Sequence, residues 1–312
     1  MAEQLEFTGE RFTPECVREI RYEHIHRYAV AAELTRGKRV LDAACGEGYG
    51  ACLLARTAGS VTGVDISAAA IGHATERYRA GNLSFQVADC CELPFEDGCF
   101  DAVISFETLE HLEAQDRLIQ EFRRVLAADG FLVISSPDKA VYTDRLENRN
   151  PFHVRELYRE ELERLLAQHF PAVRLLGQRL AFHSLIWSLP GADAPAADRP
   201  PAAVPAVLHQ EDRDAIRRLP GPSVDAVYFI ALCAAQAQHL PELDAGLWLF
   251  DDAAESVYRH YHHEIRKNMQ AGRILEQREW EIEALKAAGD LAPVREAEPP
   301  GRPWWRRWLH GS

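Results

Sequence analysis

The chain has 312 residues, 47% of them hydrophobic, and carries 48 acidic against 35 basic side chains for a formal charge of −13. That length and apolar share suffice for one large domain with appendages and a buried core. The acidic balance argues against a nucleic-acid partner, whose phosphates are met by basic surface, and nothing reads as a signal peptide or an apolar span, so the cytoplasm is the expected compartment. Seven cysteines without paired metal-ligand spacing fit reduced thiols, and the adjacent Cys90 and Cys91 read as packing residues.

Residues 1–37 open with Thr8-Gly9-Glu10-Arg11-Phe12-Thr13-Pro14-Glu15 and run into a helical segment bearing Tyr22, Glu23, His24, His26, Arg27 and Tyr28. This density of polar and aromatic groups before the first strand suits either a lid over a ligand site or a helix packed on the sheet edge. As a lid, it offers Arg27 to a ligand carboxylate. Strand 38–44 then turns through Ala44-Cys45-Gly46-Glu47-Gly48-Tyr49-Gly50, whose glycines permit positive φ and close backbone approach, into a helix whose first amides are unpaired donors. Strand 60–65 follows one helix later and ends in Asp65, about twenty residues on, the spacing that grips ribose hydroxyls. Strands at 83–88, 100–105, 130–136, 171–180 and 224–232 continue the alternation, which predicts a parallel, doubly wound α/β sheet of seven strands whose last, with its long apolar run, is buried on both faces.

Residues 189–222, rich in Pro, Ala and Asp, read as a mobile flap over an acceptor site or as a disordered insertion, with disorder the leading expectation. From about Leu243 to Gly289 the chain becomes helical and charged, with Val257, Tyr261, Ile265 and Met269 on one stripe and Ile282 and Leu285 beyond, a pattern that packs on a core or on a second subunit. His260, His262, His263 and Glu264 there read as a solvated face before they read as metal ligands. The tail Pro303-Trp304-Trp305-Arg306-Arg307-Trp308-Leu309 has the chemistry of a membrane interface, of a docking peptide or of a disordered end. The expected division is a lid at 1–37, a catalytic domain at 38–240 and a helical extension at 241–312.

The glycine loop with Asp65, together with Asp89 in Phe85-Gln86-Val87-Ala88-Asp89-Cys90, resembles the class I S-adenosylmethionine-dependent methyltransferases over about residues 10–235. The resemblance implies a Rossmann-like fold and a methionine moiety cradled at Asp42, Ala44, Gly46 and Gly48. It also implies ribose on Asp65, adenine amine on Asp89, and Ile66, Cys90 and Phe106 at the cofactor. Ala44 stands where the family often has its first glycine. The alternative is a dinucleotide enzyme on a similar scaffold, but no Arg or Lys in the loop complements a pyrophosphate.

Beyond the fourth strand, Glu107, Glu110 and His111 stand at i, i+3 and i+4, so a helix beginning there would set them on one face. The pattern is similar to the metal-binding motif of small-RNA 2′-O-methyltransferases and ubiquinone-pathway O-methyltransferases. It implies a divalent ion, magnesium or manganese, held by Glu107, Glu110, His111 and, from Asn150-Pro151-Phe152-His153, His153. Without an ion, Glu110 and His111 are ordinary helix-start residues, and His111 or His153 is the general base that methylation of a hydroxyl needs. The Gly-Glu-Arg-Phe opening, the Glu-His-x-His-Arg-Tyr helix and the Asn-Pro-Phe-His-Val-Arg-Glu-Leu segment resemble bacterial methyltransferases of cell-surface polysaccharide synthesis. That implies a sugar hydroxyl of a glycan, such as lipopolysaccharide O-antigen, as acceptor. A quinone or secondary metabolite, or a non-catalytic scaffold, remains open. Peripheral contact with the inner membrane face through the tail and a homo-oligomer through the C-terminal helix complete the expectations.

Overall fold

The computed structural model describes residues 19–148, 150–180, 208–212, 215–219, 225–243, 247–250 and 255–287. The predicted alternation is present as α1 (Glu19–Leu34), β1 (Arg39–Ala43), α2 (Tyr49–Leu54), β2 (Ser60–Asp65), α3 (Ala68–Arg77), β3 (Leu83–Val87), β4 (Phe100–Ser105), α4 (Gln115–Val125), β5 (Leu126–Pro137), α5 (Arg159–His169) and β6 (Ala172–Gln178). The main sheet closes with β9 (Tyr228–Ala234), after a hairpin of β7 (Leu208–Asp212) and β8 (Ala215–Leu219). Its order is β3-β2-β1-β4-β5-β9-β6, parallel except for β9, which runs antiparallel between β5 and β6. Chain order reverses between β1 and β4, so a crevice opens beyond their carboxyl ends.

Side chains alternate across each strand, and the central strands are apolar at successive positions because both faces are covered. Leu41 and Val103 face one layer with Leu118, Phe122, Leu162 and Leu166 of α4 and α5 and with Phe170 just beyond α5. Val40 and Ile104 face the other with Tyr28, Ala31, Tyr49 and Leu54 of α1 and α2. The N-terminal helix is therefore bound into the core on that face. Gly50, read from sequence as a ligand-approach residue, has another reason to be glycine: it sits inside α2, and a Cβ there would fall 2.0 Å from Tyr28 Cζ.

Two further expectations are corrected. Within 189–222 the described residues form an antiparallel hairpin, Leu208 pairing with Leu219 and Asp212 with Ala215. Ladder hydrogen bonding thus orders part of a segment whose Pro and Ala content suggested none. The described residues fall into two compact units, the first running through Phe250 and the second starting at Glu255, and in the first Phe250 packs edge-on against Tyr22 at 5.2 Å and stacks on His26 at 5.6 Å. The second unit carries α6 (Ser256–Ala287), which begins well after Leu243. The Thr8–Glu15 segment, residues 189–207 and the Trp and Arg tail lie outside the described residues. Among the described residues no helix is long and apolar enough to cross a membrane.

Candidate functional site

At the end of β1 the chain enters three left-handed conformations in five residues, Ala44 at φ 58°, Gly46 at 57° and Gly48 at 90°. Glycine tolerates this, whereas a left-handed alanine costs about 1–2 kcal/mol, so the loop must be held from outside. Two carboxylates hold it. Asp65 Oδ2 accepts from the Gly46 amide at 3.0 Å while its Oδ1 accepts from Ser67 N at 2.8 Å. Glu47, buried, accepts from the Tyr78 hydroxyl at 2.8 Å and lies 3.0 Å from His73 Nε2 and 3.5 Å from Arg77. At Gly48 a Cβ would meet Ala74 and the Phe85 ring within 2.8 Å, so this glycine serves both backbone and packing.

Beneath the loop, Asp42 is wholly buried, accepts from Tyr28 Oη at 3.0 Å and leaves Oδ2 without a hydrogen bond. Burial pushes its carboxyl from 3.8 up to about 7, against the Tyr28 hydrogen bond and with help from Asp65. Folding therefore penalises the ionised form: the penalty builds as pH rises from about 4 to about 7 and is complete above that. Asp42→Asn keeps the acceptor for Tyr28 and should unfold at higher denaturant concentration than the unsubstituted protein at pH 8, the gap narrowing as pH falls toward 4. One pKa unit corresponds to about 1.4 kcal/mol. Identical pH profiles for the two proteins would contradict the assignment.

Along the rim, Ile66 follows Asp65 and is 73% exposed, an apolar side chain left open at the crevice. Asp89 is exposed and accepts from Cys91 N at 2.8 Å, whereas Cys90 is buried and its thiol is pushed up to about 12 by desolvation. Phe106 is buried edge-on against Tyr28, ring centroids 5.0 Å apart. It supports α1 from the end of β4.

The motif after β4 departs from the helical expectation. Glu107 takes a left-handed φ of 52°, Leu109–His111 form a single 3-10 turn, and α4 starts only at Gln115. Glu107 forms an ion pair with Arg27, while Ser135 Oγ donates to Glu107 Oε1 at 2.7 Å and accepts from Glu107 N at 3.0 Å. Arg27 is fully buried, lies 4.8 Å over the Tyr228 ring and donates to Ser135 Oγ at 3.1 Å, yet its Nη2 has no acceptor. Burial is the largest influence and opposes its charge, but Glu107 together with Tyr228, Glu23 and Tyr49 outweighs this and holds the guanidinium above its usual range.

Glu110, His111 and His153 do converge: one ligand atom from each lies within 4.8 Å of the others, the one such group of three or more among the described residues. Backbone bonds bring the distant loop in, since Val154 N and Arg155 N donate to Glu110 O at 2.8 and 3.0 Å. Gln115 Nε2 bridges the Leu109 and Arg155 carbonyls. His111 Nδ1 meets Phe152 O at 3.0 Å and His153 Nδ1 meets Glu156 at 2.5 Å, so each Nε2 is the atom left for a ligand. Glu156 is itself fixed by the Thr143 hydroxyl. Both Glu110 carboxylate oxygens are buried without a partner, and desolvation with the neighbouring Glu107 raises this group well above the usual carboxylate range. Such a group gains from a cation or a proton.

A π-helical turn, Ala140–Arg145, presents Tyr142 to this cluster, its ring 5.4 Å from His153 and 5.8 Å from Tyr228. Glu156, Thr143, Ser135, Tyr142 and Tyr228 were not singled out from sequence. For Glu156 the signal was the i, i+3 spacing from His153. For the others there was none.

A sequence model described as a methyltransferase domain matches residues 41–134. Over these residues the chain is similar to methyltransferase domains. A probable S-adenosylmethionine-dependent methyltransferase of Mycobacterium tuberculosis is 38% identical over 165 residues, covering 52% of this chain and 60% of the relative. Phthiotriol/phenolphthiotriol dimycocerosates methyltransferase 1 of Mycobacterium ulcerans is 40% identical over 110 residues, 35% of this chain and 40% of the relative. Among solved structures, phosphoethanolamine N-methyltransferase 2 of Haemonchus contortus is 24% identical, covers 49% of this chain and 38% of that one, and gives a TM-score of 0.41. The chain thus spans about 60% of the length of the first mycobacterial relatives it matches. The matched residues include the glycine loop, Asp65 and the turn after β4, and His153 lies beyond their limit.

Proposed function

We propose that this protein is an S-adenosylmethionine-dependent O-methyltransferase whose acceptor hydroxyl lies at Glu110, His111 and His153. The convergence of those three side chains, at the rim where the sheet changes direction, carries the reading. The donor set of the loop fits the cofactor: Asp65 and Asp89 present carboxylates, Ile66 an open apolar side chain, and buried Arg27 Nη2 an unmatched donor suited to the cofactor carboxylate. When bound, the cofactor supplies an electrophilic methyl group on a sulfonium. The protein must then orient the hydroxyl in line with it and remove one proton.

Two imidazole Nε2 atoms and a carboxylate also fit a divalent cation such as magnesium or manganese, with Phe152 O and Glu156 holding the rings. A bound ion would lower the pKa of the hydroxyl. Without one, His153 Nε2 takes the proton, its ring oriented by Glu156. Glu107 belongs to Arg27 in either case.

For the acceptor we retain a sugar hydroxyl of a cell-surface or lipid-linked glycan, whose adjacent hydroxyls suit a cation. A lipid or small-molecule hydroxyl is the second reading. The names of relatives acting on phthiotriol dimycocerosates and fatty acids favour it, as does the aromatic wall of Tyr142 and Tyr228.

Calorimetric titration of S-adenosylmethionine should show binding that Asp65→Ala weakens about 10- to 100-fold, from a lost charged acceptor of about 1.5–3 kcal/mol. Unchanged affinity would contradict the cofactor site. With labelled cofactor and panels of glycan, lipid and quinone acceptors, transfer should stop on chelation and return with magnesium or manganese. Transfer that survives thorough chelation removes the ion and leaves the histidine base.

A further inference from the structure

A row of rings crosses the site. His111 and His153 meet edge-on with centroids 5.1 Å apart, His153 and Tyr142 lie tilted at 5.4 Å, Tyr142 and Tyr228 follow at 5.8 Å, and Arg27 stands 4.8 Å over the Tyr228 ring. One end of the row is the pair of histidines given to the acceptor hydroxyl, and the other is the guanidinium given to the cofactor carboxylate. Tyr142 stands between them. Its backbone is fixed on both sides, since Tyr142 N donates to Asp138 O at 2.7 Å and Tyr142 O accepts from Asn148 N at 3.2 Å. The π-helical turn that carries it is a rare shape that recurs at functional sites.

Other tyrosines of the fold give their hydroxyls to carboxylates: Tyr28 to Asp42 at 3.0 Å, Tyr78 to Glu47 at 2.8 Å and Tyr158 to Asp144 at 3.0 Å. The Tyr142 hydroxyl has no hydrogen-bond partner among the described residues, although the residue is half-buried. Desolvation, and after it the carboxylates of Glu107, Glu156, Glu110 and Glu23, push this phenol up to about 12, so at neutral pH it keeps its proton and serves as a donor. It is therefore not the base. A donor on the reacting oxygen would hold the lone pair that must attack the methyl group, so the oxygen it meets is a different one. We propose that Tyr142 is the acceptor-selecting residue of this site, its hydroxyl donating to a second acceptor oxygen beside the one that is methylated. This rests on the acceptor hydroxyl lying at Glu110, His111 and His153. The acceptor class is then one with oxygens on neighbouring carbons, such as the vicinal hydroxyls of a sugar ring or the paired oxygens of a catechol, and an isolated hydroxyl on an alkyl chain leaves the phenol unmatched.

The test compares matched acceptors, one with neighbouring oxygens and one with the second oxygen replaced by hydrogen, on the full chain and on Tyr142→Phe. The unsubstituted protein should favour the dioxygenated acceptor by about tenfold in kcat/KM, the worth of one hydrogen bond. Tyr142→Phe should erase most of that preference, chiefly by raising KM for the dioxygenated acceptor. Phenylalanine keeps the ring row, so the thermal midpoint and the cofactor affinity should not move, which separates a lost contact from a damaged fold. A preference that survives in Tyr142→Phe overturns the inference and gives the discrimination to a bound cation. Equal loss on both acceptors overturns it too and makes the residue a wall, as does an unsubstituted protein with no preference. If the unsubstituted protein methylates neither acceptor, or His153→Ala methylates them as well as it does, the reading of the site itself falls and takes this inference with it.

Discussion

Arg27→Met should destabilise the protein by about 3–5 kcal/mol in chemical denaturation, because it leaves the Glu107 carboxylate in a mostly buried site without its cation. The Glu107 side chain keeps 16% exposure and Arg27 none, so solvent gives little relief. Arg27→Met with Glu107→Gln should recover much of the loss, since replacing both charges removes the uncompensated one. A single variant within about 1 kcal/mol of the unsubstituted protein would show that the pair contributes little. The backbone at Glu107 is left-handed, and its amide and carboxylate both engage Ser135. The single variant should therefore also loosen the turn that carries Glu110, and with it catalysis.

Glu110→Gln should behave in the opposite sense for stability and more severely for chemistry. Its carboxylate is buried with neither oxygen hydrogen-bonded, so neutralising it removes a desolvation penalty and should leave stability equal or higher. The rate of methyl transfer should fall by about two to four orders of magnitude, the usual worth of positioned proton transfer, and His153→Ala should match it. Cofactor affinity should be untouched, as the loop and Asp65 are built from other elements. Stopped transfer with full cofactor binding and undiminished stability is the expected pattern. A Glu110→Gln protein that is less stable and equally active would make the residue structural.

The sheet and the cofactor loop were legible because their signals are local: a period of alternation, three glycines in five residues, a carboxylate at the end of the next strand. The reading failed where the signal is a contact. Spacing put Glu107, Glu110 and His111 on one helical face, yet spacing presumes a helix, and the left-handed Glu107 postpones it to Gln115. The partner of Glu107 is Arg27, eighty residues earlier, and nothing in either segment names the other. Gly50 misled for the same reason, since a tyrosine twenty-two positions upstream fills the space above it. His153 was found because its rim could be inferred from topology. Of its orienting partners, Glu156 was signalled by its i, i+3 spacing from His153, whereas Thr143 was not, since only the folded loop brings it near.

The place of β9 bears on how the molecule comes to be. It sits between β5 and β6 although it follows both in the chain, so β6 has no neighbour in the sheet until residues 228–234 arrive. During synthesis from the N-terminus, β1 to β5 can pair as they emerge, but β6 must wait through some fifty more residues with its ladder groups unmatched. The thermodynamic toll of so long an excursion grows only with the logarithm of its length. Its kinetic toll is larger, because the strand that completes the sheet is an insertion between two earlier ones and rests on contacts remote in sequence. Completion of the sheet is thus the expected slow step of folding, and the interval before it is when the chain most needs protection from pairing with its neighbours.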